Sequence, residues 1–436
     1  MNRDALEYLM KWKESKFRKP LIIKGARQVG KTWLMRKFGE NYYSSVAYIN
    51  FENNDRMKQL FDKDYDIDRL IFGLQIESNT QIDENTLVIF DEIQEVPKAL
   101  TSLKYFKENA PQYHVLAAGS ALGVGLHEGF SFPVGKVDFL NLYPMTFLEF
   151  LQASENNQLV DLIKSRDFDL MTVFKDKIID LLKHYYFIGG MPEAVFVYQE
   201  TYDLNQVRDV HRRLIDGYEQ DFSKHVPNLL LPRVRMAWQS IPAQLSRENR
   251  KFVYGLVKEG ARAREYEIAL QWLFDMNVAA KVVRITKPDI PLNAYQDPNS
   301  FKIFMNDVGL LSTLSNLDMK RLLEGNQIFE EFKGALTEQF VFQEIRSLDN
   351  LTPHYWSADR SSAEVDFVIE YEGKIVPIEV KATNNLRGKS LKSYFDRYHP
   401  EKSIRTSLAD FRDEGWLINI PLYALSQFLD ITFAPD

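Results

Sequence analysis

The chain has 436 residues, 45% of them hydrophobic and 26% charged, with a formal net charge of −7 and no cysteine. This length holds two or three domains with buried cores. The missing cysteine excludes disulfides, thiol nucleophiles and cysteine-ligated zinc, and the acidic balance excludes a bulk basic nucleic-acid binder, so any DNA contact has to come from a local patch.

In the first third, short apolar runs alternate with helical patterns, the mark of a parallel sheet with crossover helices. The N-terminal stretch MNRDALEYLMKWKESKF is charged and lacks the apolar core of a secretory signal. No run approaches the roughly 18 apolar residues of a membrane span, so the expectation is a cytoplasmic protein without a membrane partner. The expected strands are Leu21-Ile22-Ile23, Val46–Ile49, Leu87–Phe90 and Val115–Ala118. Their lack of alternation suits strands buried on both faces.

Between the first strand and a helical segment at Thr32–Phe38 lies Gly25-Ala26-Arg27-Gln28-Val29-Gly30-Lys31-Thr32, which fits G-x-x-x-x-G-K-[ST]. Glycines let backbone N–H groups wrap phosphate, and the helix N-terminus adds positive potential. Lys31 is expected to reach the β- and γ-phosphates of ATP, and Thr32 to hold Mg2+. Asp91-Glu92 closes the third strand, where an acid faces the ligand crevice of a parallel sheet. Asp91 is expected to bind Mg2+ through water and Glu92 to orient the attacking water as base. Without the loop, a solvated acidic pair would be the better reading. Ser120, after the fourth strand, reads equally as a γ-phosphate sensor or a turn hydroxyl. His114 reads as packing, and the aromatics near Phe139 and Phe147 read as core.

From about Tyr143 the pattern turns helical, as at Met145–Leu151 and Val173–Tyr186, and Gly189-Gly190-Met191-Pro192 breaks it. A mixed segment runs from about Val207 to Pro291. Within it Arg247, Arg250, Lys251, Lys258, Arg262 and Arg264 precede an amphipathic stretch at Tyr266–Leu273 and a strand pattern at Val278–Ile285. That order is compatible with a winged helix on DNA backbone, but Glu248, Glu259 and Glu265 dilute the charge, and a solvated face is the favoured reading. Lys287–Pro291 reads as a domain boundary. Then come a helix at about Gly334–Leu348 and strands at His354–Trp356, Ala363–Tyr371 and Lys374–Lys381.

The last two strands carry a second constellation. A two-residue turn at Glu372-Gly373 pairs Tyr371 with Lys374 and, by continuation, Asp366 with Glu379. Opposed side chains lie about 5 Å apart at Cβ, so the two carboxylates need a cation or a shared proton. Glu338 sits on the apolar stripe of Val341, Ile345 and Leu348 and needs a partner as well. Mg2+ shared by Glu338, Asp366 and Glu379 is one solution, with Lys381 orienting a water for attack on phosphodiester. A salt-bridged hairpin with Lys381 facing Glu364, or a bulge at Pro377 that shifts the register, is the other.

The runs GARQVGKT, YINFE (48–52), DEIQEVPKAL (91–100), AAGSALG (117–123) and LYPMTFLEFL (142–151) resemble AAA-type P-loop ATPases of bacteria and archaea, more narrowly those with a DUF4143 C-terminal domain; FKIFMNDVGLL (301–311) resembles a signature of that domain. The resemblance implies an α/β fold: an AAA-type parallel sheet with the sensor strand between the two motif strands, over 1–142, and a helical lid over 143–206. It further implies a helical, winged-helix-like segment over 207–291 and a restriction-endonuclease-like α/β domain over 292–436. Many such ATPases form rings with an arginine finger in trans. Here homo-oligomerisation is an expectation, no finger is assigned, and Lys136, where relatives show a basic residue, reads as a solvated lysine. The set Glu338, Asp366, Glu379 and Lys381 resembles a PD-(D/E)xK nuclease pattern. The resemblance as a whole implies an ATPase coupled to a nuclease-like domain that binds or cuts DNA, or a nucleotide-dependent switch in which that domain is a silent scaffold.

Overall fold

The computed structural model describes residues 3–119, 133–247, 250–318, 330–348, 351–359, 362–383 and 388–433. Two compact units divide the chain: Asn2–Tyr143 with Asp275–Asn277, and Pro144–Phe274 with Val278–Asp436.

In the first unit, β1 (Leu21–Lys24), β2 (Ser45–Asn50), β3 (Thr86–Asp91), β4 (His114–Ala118) and β5 (Asp138–Asn141) form one sheet in the order β2-β3-β4-β1-β5. Every pairing is parallel. The strand expected to carry the sensor, β4, therefore lies between the two motif strands β1 and β3. Both faces of the sheet are covered. Ile22, Val88, Phe90, Val115 and Ala117 feed one core cluster, and Leu21, Ile23, Leu87, Ile89, Leu116 and Ala118 feed the other. Alternate residues thus enter opposite apolar layers, which is why the sequence shows no alternation. Strand β5 was not legible in the sequence: its pattern is half exposed.

The second unit begins with helices, among them Phe147–Ala153, Lys175–Ile188, Leu204–His225 and Leu231–Leu245. Phe147–Ala153 starts on a capping box, with Thr146 and Glu149 satisfying each other's backbone N–H groups. The unit then builds an eight-stranded mixed sheet from β6 (Ala279–Ile285), β7 (Gln296–Met305), β8 (His354–Ser357), β9 (Glu364–Tyr371), β10 (Lys374–Val380), β11 (Ser403–Ser407), β12 (Arg412–Asp413) and β13 (Leu417–Pro421). Their order is β12-β13-β11-β10-β9-β8-β6-β7. The strand read as a wing, β6, pairs antiparallel with β7 and parallel with β8. The loop 287–291, expected to end a domain, connects adjacent strands of this one sheet. Between β9 and β10 the ladder runs from Tyr371↔Lys374 through Val368↔Pro377 to Phe367↔Ile378 without a shift. The two-residue turn at Glu372-Gly373 fixes that register, and Pro377 causes no bulge. Among the described residues no helix is long and apolar enough to cross a membrane.

Candidate functional site

The loop 25–30 leaves β1 and enters the helix Lys31–Tyr42. Its turn needs positive φ at Gly25 (155°), Gln28 (62°) and Gly30 (97°). A Cβ on Gly25 would lie 2.3 Å from the Leu142 carbonyl oxygen, so only glycine fits there. Ala26 and Val29 are buried and wedge the loop onto the core beneath it. Arg27 is exposed. The Arg3 guanidinium, which no sequence signal singles out, donates to the Val29 carbonyl (3.2 Å) and the Tyr143 carbonyl (2.6 Å), bracing the loop from behind.

Lys31 is buried, and its ammonium donates to the carbonyls of Gly25 (2.9 Å) and Ala26 (2.8 Å). The Thr32 hydroxyl, in the first turn of the helix, donates to the Asp91 carboxylate at the end of β3 at 2.6 Å. Asp91 is buried, accepts a second bond from the Tyr48 hydroxyl (2.8 Å), and accepts from the Glu92 N–H (3.1 Å). Burial, with the Asp91 carboxylate beside it, pushes the Tyr48 phenol up to about 12, so it stays a donor. The Arg36 guanidinium stacks 3.9 Å from the centre of the Tyr48 ring. Glu92 sits at φ 50°, a left-handed conformation that turns the chain out of β3, and accepts from the Gln94 amide at 2.6 Å. Thr32 and Asp91 are oxygen donors of the kind Mg2+ takes, and they already converge. Ser120 lies outside the described residues.

The other residues weighed from the sequence have structural partners. Lys136 pairs with Glu108 at 2.8 Å at the surface. His114 meets the Tyr43 hydroxyl at 2.5 Å, and burial, with Arg18 and Lys13 nearby, takes its pKa down to about 4. Phe147 is core, but Phe139 is 39% exposed and lies under the Lys24 ammonium, 3.7 Å from its centroid. Asp307 caps the helix Val308–Leu314 through the Leu310 N–H (3.0 Å) and also accepts from Gly190 (2.6 Å). The Gly189-Gly190 break thereby ends on a buried carboxylate.

In the second unit, Glu338, Asp366, Glu379 and Lys381 line one cavity of about 530 Å³; the hairpin supplies the last three and the helix Glu330–Ser347 supplies Glu338. The arrangement within it differs from the shared Mg2+ expected for Glu338, Asp366 and Glu379. Glu338 is ion-paired with the Arg250 guanidinium, and its other oxygen lies 3.6 Å from the Lys302 ammonium. Lys302, on β7 and fully buried, also reaches Glu364 (2.6 Å) and Asp366 (4.0 Å). Lys381 pairs with Glu379 at 3.0 Å, not with Glu364. Asp366 accepts from the Val380 N–H at 2.7 Å. Burial raises Glu379 and Glu364, against the pull of Lys381 and Lys302 respectively. Among the described residues no three acidic or histidine side chains converge to hold a metal ion. The expected carboxylate set does not fit a shared ion, because Arg250 and Lys302 neutralise Glu338. In sequence Arg250 belongs to a solvated basic face; its neighbours Arg247, Lys251, Lys258, Arg262 and Arg264 are exposed, while it turns inward. The signal is Gly334, whose missing Cβ leaves room for the Arg250 guanidinium nitrogen, 2.8 Å from where that Cβ would stand.

Three protein-family models match the chain: one described as an AAA domain over residues 17–151, and two domains of unknown function, DUF8612 over 179–321 and DUF4143 over 333–423. Uncharacterized proteins of Mycobacterium tuberculosis and Mycobacterium bovis are each 26% identical over 200 residues, which is 45% of this chain and 42% of theirs. The chain thus spans less than half the length of the curated relatives it matches. Among solved structures it is similar to the Walker-type ATPase paby2304 of Pyrococcus abyssi, at 16% identity and TM-score 0.46 over 72% of this chain and 95% of that one. It is also similar to the ORC1 protein of Aeropyrum pernix in complex with DNA, at 12% identity and TM-score 0.26 over 72% and 90%. At these scores the superpositions carry no argument. The AAA domain match, the strand order and the phosphate-type loop together make the first unit a P-loop AAA-type domain. The DUF4143 match says nothing about a nuclease.

Proposed function

We propose that the first unit binds and hydrolyses ATP, and that the second unit is a nucleotide-responsive interaction module whose nuclease-like sheet does not cut. The observation that carries the first half is the Thr32–Asp91 hydrogen bond of 2.6 Å, from the start of the helix Lys31–Tyr42 to the end of β3. It brings the helix that follows the loop and the acid of the neighbouring motif strand to one point of the crevice. Lys31 now donates to two neutral carbonyls. Phosphate oxygens, which carry negative charge, would replace them as stronger acceptors for the same ammonium. The loop N–H groups and the helix N-terminus receive the rest of the negative charge. Mg2+ supplies positive charge at the phosphates when bound. Thr32 and Asp91 would hold it, and Tyr48 and Arg36 keep the Asp91 carboxylate oriented. Glu92, turned out of the strand end by its left-handed backbone, is the base that orients the attacking water.

The second half rests on charge. The cavity acids are answered by Arg250, Lys302 and Lys381 from within the chain, which favours a binding surface over a metal-dependent cutter. DNA and protein partners are separated by titrating the full chain with duplex DNA at low salt, where backbone contacts are strongest. The test of the ATPase is Glu92→Gln. It should retain ATP binding, measured by equilibrium dialysis, and lose phosphate release by about 100-fold or more. Wild-type turnover in that variant would remove Glu92 from the site.

A further inference from the structure

The cavity of the second unit poses a question of charge that the ATPase does not touch. Glu338, Glu364 and Asp366 come from the helix Glu330–Ser347 and from β9, and surround the Lys302 ammonium at 3.6, 2.6 and 4.0 Å respectively, a spacing wider than that of ligands on one metal ion. The Lys302 side chain is 0% exposed and Glu338 is 3% exposed, so water screens neither. A lone buried ammonium or carboxylate is costly, and here opposite charges lie within ion-pair distance of one another. Arg250 closes the same acid from the cavity side, and Gly334 is the residue that lets it approach.

We propose that the carboxylate-lined cavity carries its own cation: the Lys302 ammonium, with Arg250 as a second brace, stands in for a divalent ion among Glu338, Glu364 and Asp366. The site therefore does not load divalent metal. A dication entering this group would have to share three carboxylates with an ammonium that cannot leave, since Lys302 is anchored in β7 between the ladder partner Val282 and the Tyr355 ring 5.1 Å away. The proposal deepens the reading of the second unit as a non-cutting module and rests on it.

The experiment is a Mn2+ titration of the full, nucleotide-free chain followed by electron paramagnetic resonance, with no nucleotide present to recruit metal to the first unit. The wild type should show no saturable site that Asp366→Asn removes. Lys302→Met should gain one, saturating at a Mn2+ concentration at least about tenfold below the highest at which the wild type shows none. Mn2+ should raise the thermal midpoint of Lys302→Met but not that of the wild type, and adding Asp366→Asn should cancel both effects. A saturable, Asp366-dependent Mn2+ site in the wild type overturns the proposal. Folded Lys302→Met without a new site overturns it too. Should Lys302→Met not fold, the wild-type titration still decides, and Arg250→Ala, which opens one side of the cage, should gain weaker binding. The same samples are incubated with plasmid. Cleavage in the presence of chelator would sink the non-cutting reading and leave Lys302 in place, whereas Mn2+ binding without cleavage would sink only the Lys302 proposal.

Discussion

Two buried lysines mark the two regions of this molecule, and they are held in opposite ways. Lys31 rests on neutral carbonyl oxygens of its own loop. Lys302 rests among three carboxylates drawn from two other elements. The first arrangement is exchangeable, because a phosphate is a stronger acceptor than a carbonyl. The second is closed, because separating buried opposite charges leaves each uncompensated. Buried charge therefore differs between the two places: an ammonium on exchangeable carbonyls, which we propose takes a phosphate, and an ammonium at ion-pair distance from carboxylates, where Lys302 Nζ and Glu338 Oε2 make no hydrogen bond.

The comparison breaks or sharpens in three measurements. The largest effect is expected for Lys31→Ala on turnover: phosphate release should fall by about 100-fold or more, the scale for removing one preorganised charge from a transition state. An unchanged rate would take the loop out of the nucleotide site. On stability the order reverses. Lys302→Met should lower unfolding free energy by about 3 to 5 kcal/mol in urea titrations, the scale for breaking a buried ion pair. Lys31→Ala should change it by less, about 1.5 to 3 kcal/mol, the scale for hydrogen bonds involving a charged group. Equal losses would mean that the two lysines are held alike.

The smallest effect is pH dependence. His114 in the first unit is taken down to about 4 and His211 in the second to about 3, each chiefly by burial. His211 is fully buried between the Ile188 carbonyl (2.9 Å) and the Thr313 hydroxyl (2.9 Å). In both cases the fold keeps the imidazole neutral, while the unfolded chain takes up a proton below the ordinary value of about 6.5. The unfolded state then binds more protons, so stability falls as pH drops, by at most about 1.4 kcal/mol per pH unit for each histidine. The His114 window closes near 4 and the His211 window near 3. His211→Gln should therefore flatten the acid slope over a wider range than His114→Gln, read from urea midpoints against pH. Identical slopes in the two variants would contradict the deeper burial of His211.

The candidate nucleotide site was legible because its parts are local. The loop, the helix start and the end of an apolar strand each carry their own signal, and the parallel sheet brings them together by rule. The hairpin register was legible for the same reason, since Glu372-Gly373 sets the pairing within a few residues. Arg3, Tyr48 and Arg36 were not, because each acts on the loop or on Asp91 from a distance in sequence that no period or spacing records.

By itself the sequence determined the phosphate-type loop, the acid pair at the end of β3, and the register that sets Asp366 near Glu379 and Lys381, because short-range geometry dictates each of these, while Glu338, on a separate helix, was joined to them by the family resemblance. Only the tertiary structure decided what neutralises those acids. Lys302 reads in sequence as one more residue of an apolar run, and Arg250 as one of a basic cluster. Their burial against carboxylates is set by the β6–β7 hairpin joining the far edge of the sheet and by the gap at Gly334. Charge pairing depends on distance through space, and the chain's order along its length does not encode that distance.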